Sequence, residues 1–102
     1  MKTIKTPELI KAPSQKDKDE TQDLPFKEFI EAIIDQYKPF GEGSKGAVKA
    51  KRLFDIIKED KDEYVFEDAD YENLKEASKT VNFLPYYNKF FTPYYKALDG
   101  ES

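Results

Sequence analysis

The side chains that could do chemistry in this chain of 102 residues are carboxylates, lysines and tyrosines, because cysteine and histidine are both absent. Their absence excludes disulfides, thiol chemistry and the usual zinc, haem and iron–sulfur sites. The Ser-His-Asp and Cys-His nucleophiles and the commonest general base are missing for the same reason. We therefore expect a protein that is not an enzyme and that holds no metal and no cofactor.

The densest group of carboxylates lies in residues 60–76, where acidic side chains outnumber lysines. A calcium loop that began at Asp60 would need glycine at its sixth position and glutamate at its twelfth. The chain has Val65 and Tyr71 there, so the segment is not an EF-hand. We interpret these acids as a solvated loop followed by the first turn of a helix, where the helix dipole favours negative charge. Carboxylate or oxygen-ligated metal catalysis is an alternative for which no particular pair of residues can be named.

A glycine-rich segment at residues 41–46 has the sequence GEGSKG and matches the G-x-G-x-x-G pattern of dinucleotide-binding loops. In those proteins a buried strand precedes the glycines, so that the pyrophosphate meets the first amides of the next helix. Here an amphipathic helix and Pro39 precede them, and the Gly-Lys-Ser/Thr ending of a P-loop is absent. We interpret the segment as a hinge between two helices, with Ser44 capping the second.

Aromatic side chains are concentrated in residues 83–98, where three pairs recur every four residues. On one helix these pairs would form a band, because residues four apart share a face. This aromatic band consists of Tyr86, Tyr87, Phe90, Phe91, Tyr94 and Tyr95. Neighbouring residues point about 100 degrees apart on a helix, so the band is wider than one groove between packed helices. Pro93 should kink the helix or divide it into two short pieces.

The aromatic band has two interpretations. In the first, its rings supply the bulk of the core, since the chain has no tryptophan and one methionine. In the second, some rings stay exposed and form a protein interface, where tyrosine provides contact area at low entropic cost. We predict a non-catalytic protein–protein interaction module that docks a partner protein or a second copy of itself through these six residues. Its size and its richness in lysine and glutamate suit an accessory, assembly or inhibitor protein of a phage or mobile element.

A cluster of cations favours an alternative function. Lys45, Lys49, Lys51 and Arg52 lie on the second predicted helix, directly after the glycine hinge. Lysines placed in this way neutralise nucleic-acid phosphates, and tyrosines can stack on bases. The cluster has one arginine for bidentate base reading, and the net charge of −4 is mildly unfavourable for nucleic-acid binding. The alternative function is therefore a small nucleic-acid-binding accessory protein. A simpler interpretation of the same lysines is that they keep an exposed helix solvated.

Hydrophobic periodicity predicts the helices that would position these groups. Apolar residues from Phe26 to Tyr37 recur at helical spacing, with Asp23 as the N-terminal cap and Pro39 as the end. Two further helices are predicted, one after the glycines and a thinner one after the acidic loop. We predict an all-α or nearly all-α fold: a small bundle of three amphipathic helices plus a proline-broken aromatic helix. One tiny strand pair, joining residues 64–66 to the N-terminal segment, is left open.

Residues 1–22 are predicted to form a flexible charged tail. They are rich in polar and charged residues, are interrupted by Pro7 and Pro13, and have too few apolar side chains to offset the entropy of ordering. The semi-apolar part at residues 4–10 could dock as a short strand or act as a linear motif for a partner. We expect one helical domain at residues 23–98 and a disordered C-terminus at residues 99–102.

The sequence contains no run of about 20 apolar residues, and its first residues lack the apolar core of a signal peptide. We therefore expect a cytoplasmic protein that does not enter a membrane. No pattern in the chain predicts a small-molecule substrate.

Overall fold

The computed structural model describes residues 1–13 and 19–100. Within these residues the chain has a mixed α/β fold with two small antiparallel sheets of two strands each. The strands are β1 (Lys2–Lys5), β2 (Ile10–Pro13), β3 (Thr21–Leu24) and β4 (Glu63–Phe66). The helices are α1 (Phe26–Gln36), α2 (Gly43–Ile56), α3 (Asp68–Thr80), α4 (Pro85–Asn88) and α5 (Thr92–Leu98), with 3-10 turns at Lys38–Gly41 and Lys89–Phe91.

The prediction of an all-α fold with a disordered N-terminus is wrong, because residues 2–13 contain two strands. β1 pairs with β4 in antiparallel register, with Ile4 opposite Tyr64. Side chains alternate along β4, so Tyr64 and Phe66 are buried in the core. Ile4 is buried with them, and a shift of one residue would turn it to solvent. Burial of these side chains therefore offsets the entropy of ordering the first strand.

The second sheet is a hairpin of β2 and β3 that the sequence did not predict. Its register places Ile10 opposite Leu24. The two strands contain few β-branched residues, so their intrinsic strand propensity is low. The hydroxyl of Tyr94 accepts a hydrogen bond from the Ile10 amide at 3.2 Å and donates one to the Leu24 carbonyl. A side chain from the far end of the chain therefore holds the two strands of the hairpin together.

Parts of the predicted flexible ends, residues 14–18 and 101–102, lie outside the described residues. Asp99 belongs to the segment that was predicted to be disordered. It donates its backbone N–H to the Tyr95 carbonyl, which is an ordinary helical hydrogen bond at the end of α5.

α1 lies at the centre of the core. Its buried side chains follow the helical spacing seen in the sequence, and they are Phe26, Phe29, Ile30, Ile33 and Ile34. The helix begins directly after Pro25, whose missing N–H removes no helical hydrogen bond at this position. Asp23 lies in β3 and does not cap the helix, so that part of the prediction is wrong. The hydrophobic periodicity predicted the position of α1. Its first residue is set by the hairpin, because β3 ends at Leu24 and α1 begins at Phe26.

The glycine-rich segment packs tightly against the turn that precedes it. α2 begins at Gly43 and has no side-chain capping hydrogen bond, so the predicted cap by Ser44 is wrong. A Cβ atom on Gly46 would lie 2.3 Å from the Pro39 carbonyl oxygen, well inside van der Waals contact. Gly46 therefore allows the first turn of α2 to approach the 3-10 turn at Lys38–Gly41.

Replacing Gly46 with alanine should lower the free energy of unfolding by about 2 kcal/mol. The clash with backbone should exceed the gain of about 1 kcal/mol in helix propensity. Gly41 is the matched control, because a Cβ atom there would have nothing within 4 Å. We expect Gly41→Ala to change the free energy by less than about 0.5 kcal/mol. Urea unfolding followed by circular dichroism compares the two variants, and equal stabilities would contradict the tight approach.

Candidate interaction site

The aromatic segment forms two short helices instead of one. α4 begins at Pro85, and α5 carries Pro93 at its second position, where a missing N–H breaks no helical hydrogen bond. The 3-10 turn at Lys89–Phe91 joins the two helices. The hydroxyl of Tyr95 donates a hydrogen bond to Asn88 Oδ1 at 2.7 Å. This bond ties α5 to the end of α4 and holds the segment in one shape.

The six residues of the aromatic band are divided between the core and the surface. Tyr94 is 0% exposed, so its side chain cannot meet a partner in this fold, and its prediction as a partner-binding residue requires correction. Phe91 is 8% exposed and lines a groove at the surface, so its prediction stays a prediction. Both rings are largely buried. The cause is Phe29 of α1, whose ring centroid lies 5.1 Å from that of Phe91 and 5.3 Å from that of Tyr94. Aromatic pairs at such distances gain about 0.5–1.5 kcal/mol beyond their buried area.

The other four members of the aromatic band reach the surface to different degrees. Tyr86 is 42% exposed, while Tyr87, Phe90 and Tyr95 are half-buried. The Tyr86 ring makes edge-to-face contacts with Tyr87 at 5.4 Å and with Phe90 at 6.0 Å. The ammonium of Lys89 lies 4.7 Å from the Tyr86 ring centroid, in the geometry of a cation–π contact. We refer to Tyr86, Tyr87 and Phe90 as the outer cluster.

A groove with a volume of about 460 Å³ opens beside the outer cluster. It is lined by the β2–β3 hairpin, by α1 and by the residues that precede α4. Its main apolar groups are Leu24, Phe29, Ala32, Phe83, Leu84, Tyr87 and Phe91. Its polar groups are Gln22, Glu28, Gln36 and Asn82. This volume lies within the range of about 300–1,000 Å³ that is usual for ligand-binding pockets.

Leu84 is the member of this site that the spacing of aromatic pairs did not reveal. Its side chain is 69% exposed although it is large and apolar. It stands between half-buried Phe83, which lines the groove, and Pro85, which begins α4. The signal that could have found Leu84 is its position before a helix-starting proline, where a residue is extended and has few neighbours. Leu84 and Tyr87 both line the groove, and Tyr86 and Phe90 adjoin it through the ring contacts of the outer cluster.

Arg52, one of the four residues predicted to bind nucleic acid, is held by a carboxylate of α3. Its Nε donates to Asp70 Oδ1 at 2.8 Å and its Nη2 donates to Asp70 Oδ2 at 2.9 Å. These hydrogen bonds and the negative charge of Asp70 raise the pKa of Arg52. Asp70 is buried, so this bidentate pair fixes α2 against α3. The structure gives Arg52 a role in packing.

The other three predicted nucleic-acid-binding residues are also close to carboxylates. Lys51 pairs with Asp55 at 2.9 Å on the exposed side of α2. Lys45 and Lys49 line a shallow depression that includes Glu76. The positive charge of α2 is therefore partly matched by neighbouring acids. The nucleic-acid alternative stays a prediction, and no observation favours it.

The chain matches no family model, no curated protein and no solved structure. In residues 1–13 and 19–100, no group of three or more acidic side chains is arranged to hold a metal ion. No helix in the described part of the chain is long and apolar enough to cross a membrane. The physical character of the groove and its mouth, which is apolar and aromatic, is therefore the basis for a functional proposal.

Three tyrosines have raised pKa values because burial disfavours the phenolate. They are Tyr71, Tyr94 and Tyr95. At Tyr71 the negative charge of Asp99 adds to the effect of burial. The hydroxyl of Tyr71 donates to the Leu98 carbonyl at 2.6 Å, so this neutral phenol ties α3 to α5.

The free energy of unfolding should fall as the pH rises above about 10. The unfolded chain loses phenolic protons near the ordinary tyrosine pKa of about 10, whereas the folded chain keeps them to higher pH. The unfolded state then binds fewer protons, and stability decreases with pH in that window. Urea unfolding between pH 8 and about pH 11 measures the slope, which Tyr94→Phe should reduce. If the free energy of unfolding of the wild type stays constant above pH 10, the raised pKa values of these tyrosines are contradicted.

Proposed function

We propose that this chain is a non-catalytic protein–protein interaction module. It binds a partner protein through Leu84, the outer cluster and the adjoining groove, which together we name the docking surface. The observation that carries the proposal is Leu84, a 69% exposed apolar residue that lines a groove with an apolar floor. Exposed Tyr86 adjoins the groove through its ring contact with Tyr87, which lines it. Contiguous exposed apolar groups beside a groove are characteristic of interaction sites.

The docking surface has the anatomy of an interface. Its floor is apolar, and its rim carries amide groups such as Gln22, Gln36 and Asn82 that can form hydrogen bonds to a partner. Tyrosine is enriched among the residues that dominate binding energy, because its ring is large, rigid and amphipathic. The Tyr95 to Asn88 hydrogen bond and the contacts of Phe29 hold this surface in place before binding. A preorganised surface loses less conformational entropy on association.

Affinity capture from the native lysate, with and without nuclease, tests the proposal. Ala32→Trp is the negative control. Ala32 is a half-buried residue of α1 that lines the groove, so an indole there should obstruct the groove and prevent binding. We expect a stoichiometric protein that survives nuclease and is absent from the Ala32→Trp sample, while circular dichroism shows both proteins folded. The same proteins captured by both would contradict the proposal. Recovery of the chain alone as a dimer would assign the docking surface to a second copy.

Two predictions from the sequence accompany the proposal. The first is a biological role as an accessory, assembly or inhibitor protein of a phage or mobile element, for which the identity of the captured partner is the test. The second is a cytoplasmic location, which fractionation of the native cells would test. A captured partner would identify the process in which the module acts.

A further inference from the structure

We infer that the partner docks a short amphipathic segment, which inserts an apolar side chain into the groove and places lysine or arginine along its rim. This inference rests on the proposed function and specifies the chemistry that the docking surface selects. Two features of the groove support it: an apolar floor and a negatively charged rim.

The floor of the groove is suited to an apolar side chain. Phe29 is buried at the groove, and Leu24, Ala32 and Phe83 are half-buried around it. Water against such groups finds few hydrogen-bonding partners, so an aliphatic or aromatic side chain displaces it favourably. Apolar anchors that enter a groove are the usual means by which an amphipathic segment is recognised.

The rim of the groove is negatively charged along α1. Glu28 is the one charged residue among the described residues that line the groove, and its side chain is exposed. Asp35 is exposed two turns further along α1 on nearly the same face. α1 ends at Gln36, which lines the groove, and its last turn has no basic residue to offset the partial negative charge of the helix end. Lys38 follows α1 but lines a neighbouring depression.

The lysines closest to the groove lie beside carboxylates or aromatic rings. Lys27 pairs with Glu31 at 3.4 Å on α1. Lys11 lies opposite Asp23 across the hairpin. The ammonium of Lys89 lies over two rings of the outer cluster. Among the described residues that line the groove the charge is that of Glu28, which is negative and favours a segment that carries cations.

Selection from a displayed library of random peptides tests the inference with a defined probe. Wild-type protein selects the peptides, and Ala32→Trp removes those that bind outside the groove. We expect the remaining peptides to combine an apolar or aromatic residue with an excess of lysine and arginine. Glu28→Gln should weaken their binding about threefold and Glu28→Lys about tenfold, and the losses should shrink at high salt. Glu72→Lys is the matched control, since Glu72 is exposed on α3 and does not line the groove.

Two outcomes separate failure of this inference from failure of the proposed function. In the first outcome, the peptides that need the groove are neutral or acidic, or they bind wild type and Glu28→Lys equally. This result would overturn the inference that the partner segment is basic, but the docking surface would remain. Absence of any peptide that distinguishes wild type from Ala32→Trp would remove the groove as a binding site and overturn both.

Discussion

Replacing Tyr94 with alanine should lower the free energy of unfolding by about 3–5 kcal/mol, the largest stability effect that we expect from a single substitution. Its side chain is fully buried, and its ring lies 5.1 Å from Phe26 and 5.3 Å from Phe29 between centroids. Domains of this size have a total stability of about 5–15 kcal/mol, so the loss would remove between about one fifth and all of it. Circular dichroism and urea unfolding measure the loss. A variant within about 1 kcal/mol of wild type would contradict the core position of Tyr94.

Tyr94→Phe isolates the hydroxyl while keeping the ring. We expect a loss of about 1–3 kcal/mol, because the Ile10 amide and the Leu24 carbonyl lose their shared partner. Amide hydrogen exchange should accelerate in β2 and β3 more than in α1. Tyr37→Phe is the matched control, since its ring contact with Phe40 at 4.7 Å is retained. Equal stability and equal exchange in the two variants would show that the hairpin does not depend on Tyr94.

Replacing Leu84 with glutamate should weaken partner binding by at least about 30-fold. A charge there would face the apolar mouth of the groove, and central apolar anchors contribute about 2 kcal/mol or more to binding. The fold should be unaffected, because the side chain is 69% exposed. Isothermal titration calorimetry with the captured partner measures the change.

Val48→Glu is the control for Leu84→Glu. Val48 is 60% exposed on α2 and lines no part of the groove, so the same change of charge occurs at a distant apolar residue. We expect the partner affinity of Val48→Glu to stay within about twofold of wild type. Similar losses in the two variants would point to a general effect of negative charge and would contradict a docking surface at Leu84.

Helices could be predicted from the sequence wherever the apolar spacing was strong, and α1 is the clearest case. The hairpin could not be predicted in this way, because its support comes from Tyr94, which is 84 residues from Ile10 and 70 from Leu24 along the chain. Tertiary contact of this kind overrides a low strand propensity. The pairing of residues 64–66 with the N-terminal segment was left open for a similar reason, since Ile4 of β1 is ordered by its pairing with Tyr64 far along the chain.

The candidate site was accessible to sequence reasoning only in part. The excess of aromatic rings at residues 83–98 indicated the segment on which we propose the docking surface, because paired rings cannot all share one buried face. Which rings would be buried depended on Phe29 and on the hairpin, and neither is visible in the local pattern. The groove is formed by three segments that are distant in sequence, so no spacing within one segment could reveal it.

Amide hydrogen exchange of the wild-type chain, free and bound to its captured partner, tests the docking surface most directly. We predict that binding slows exchange in residues 82–91 and in the groove-facing part of α1, with little change around Lys45 and Lys49 of α2. Slower exchange confined to α2, with residues 82–91 unchanged, would contradict the docking surface and would place the interface on α2.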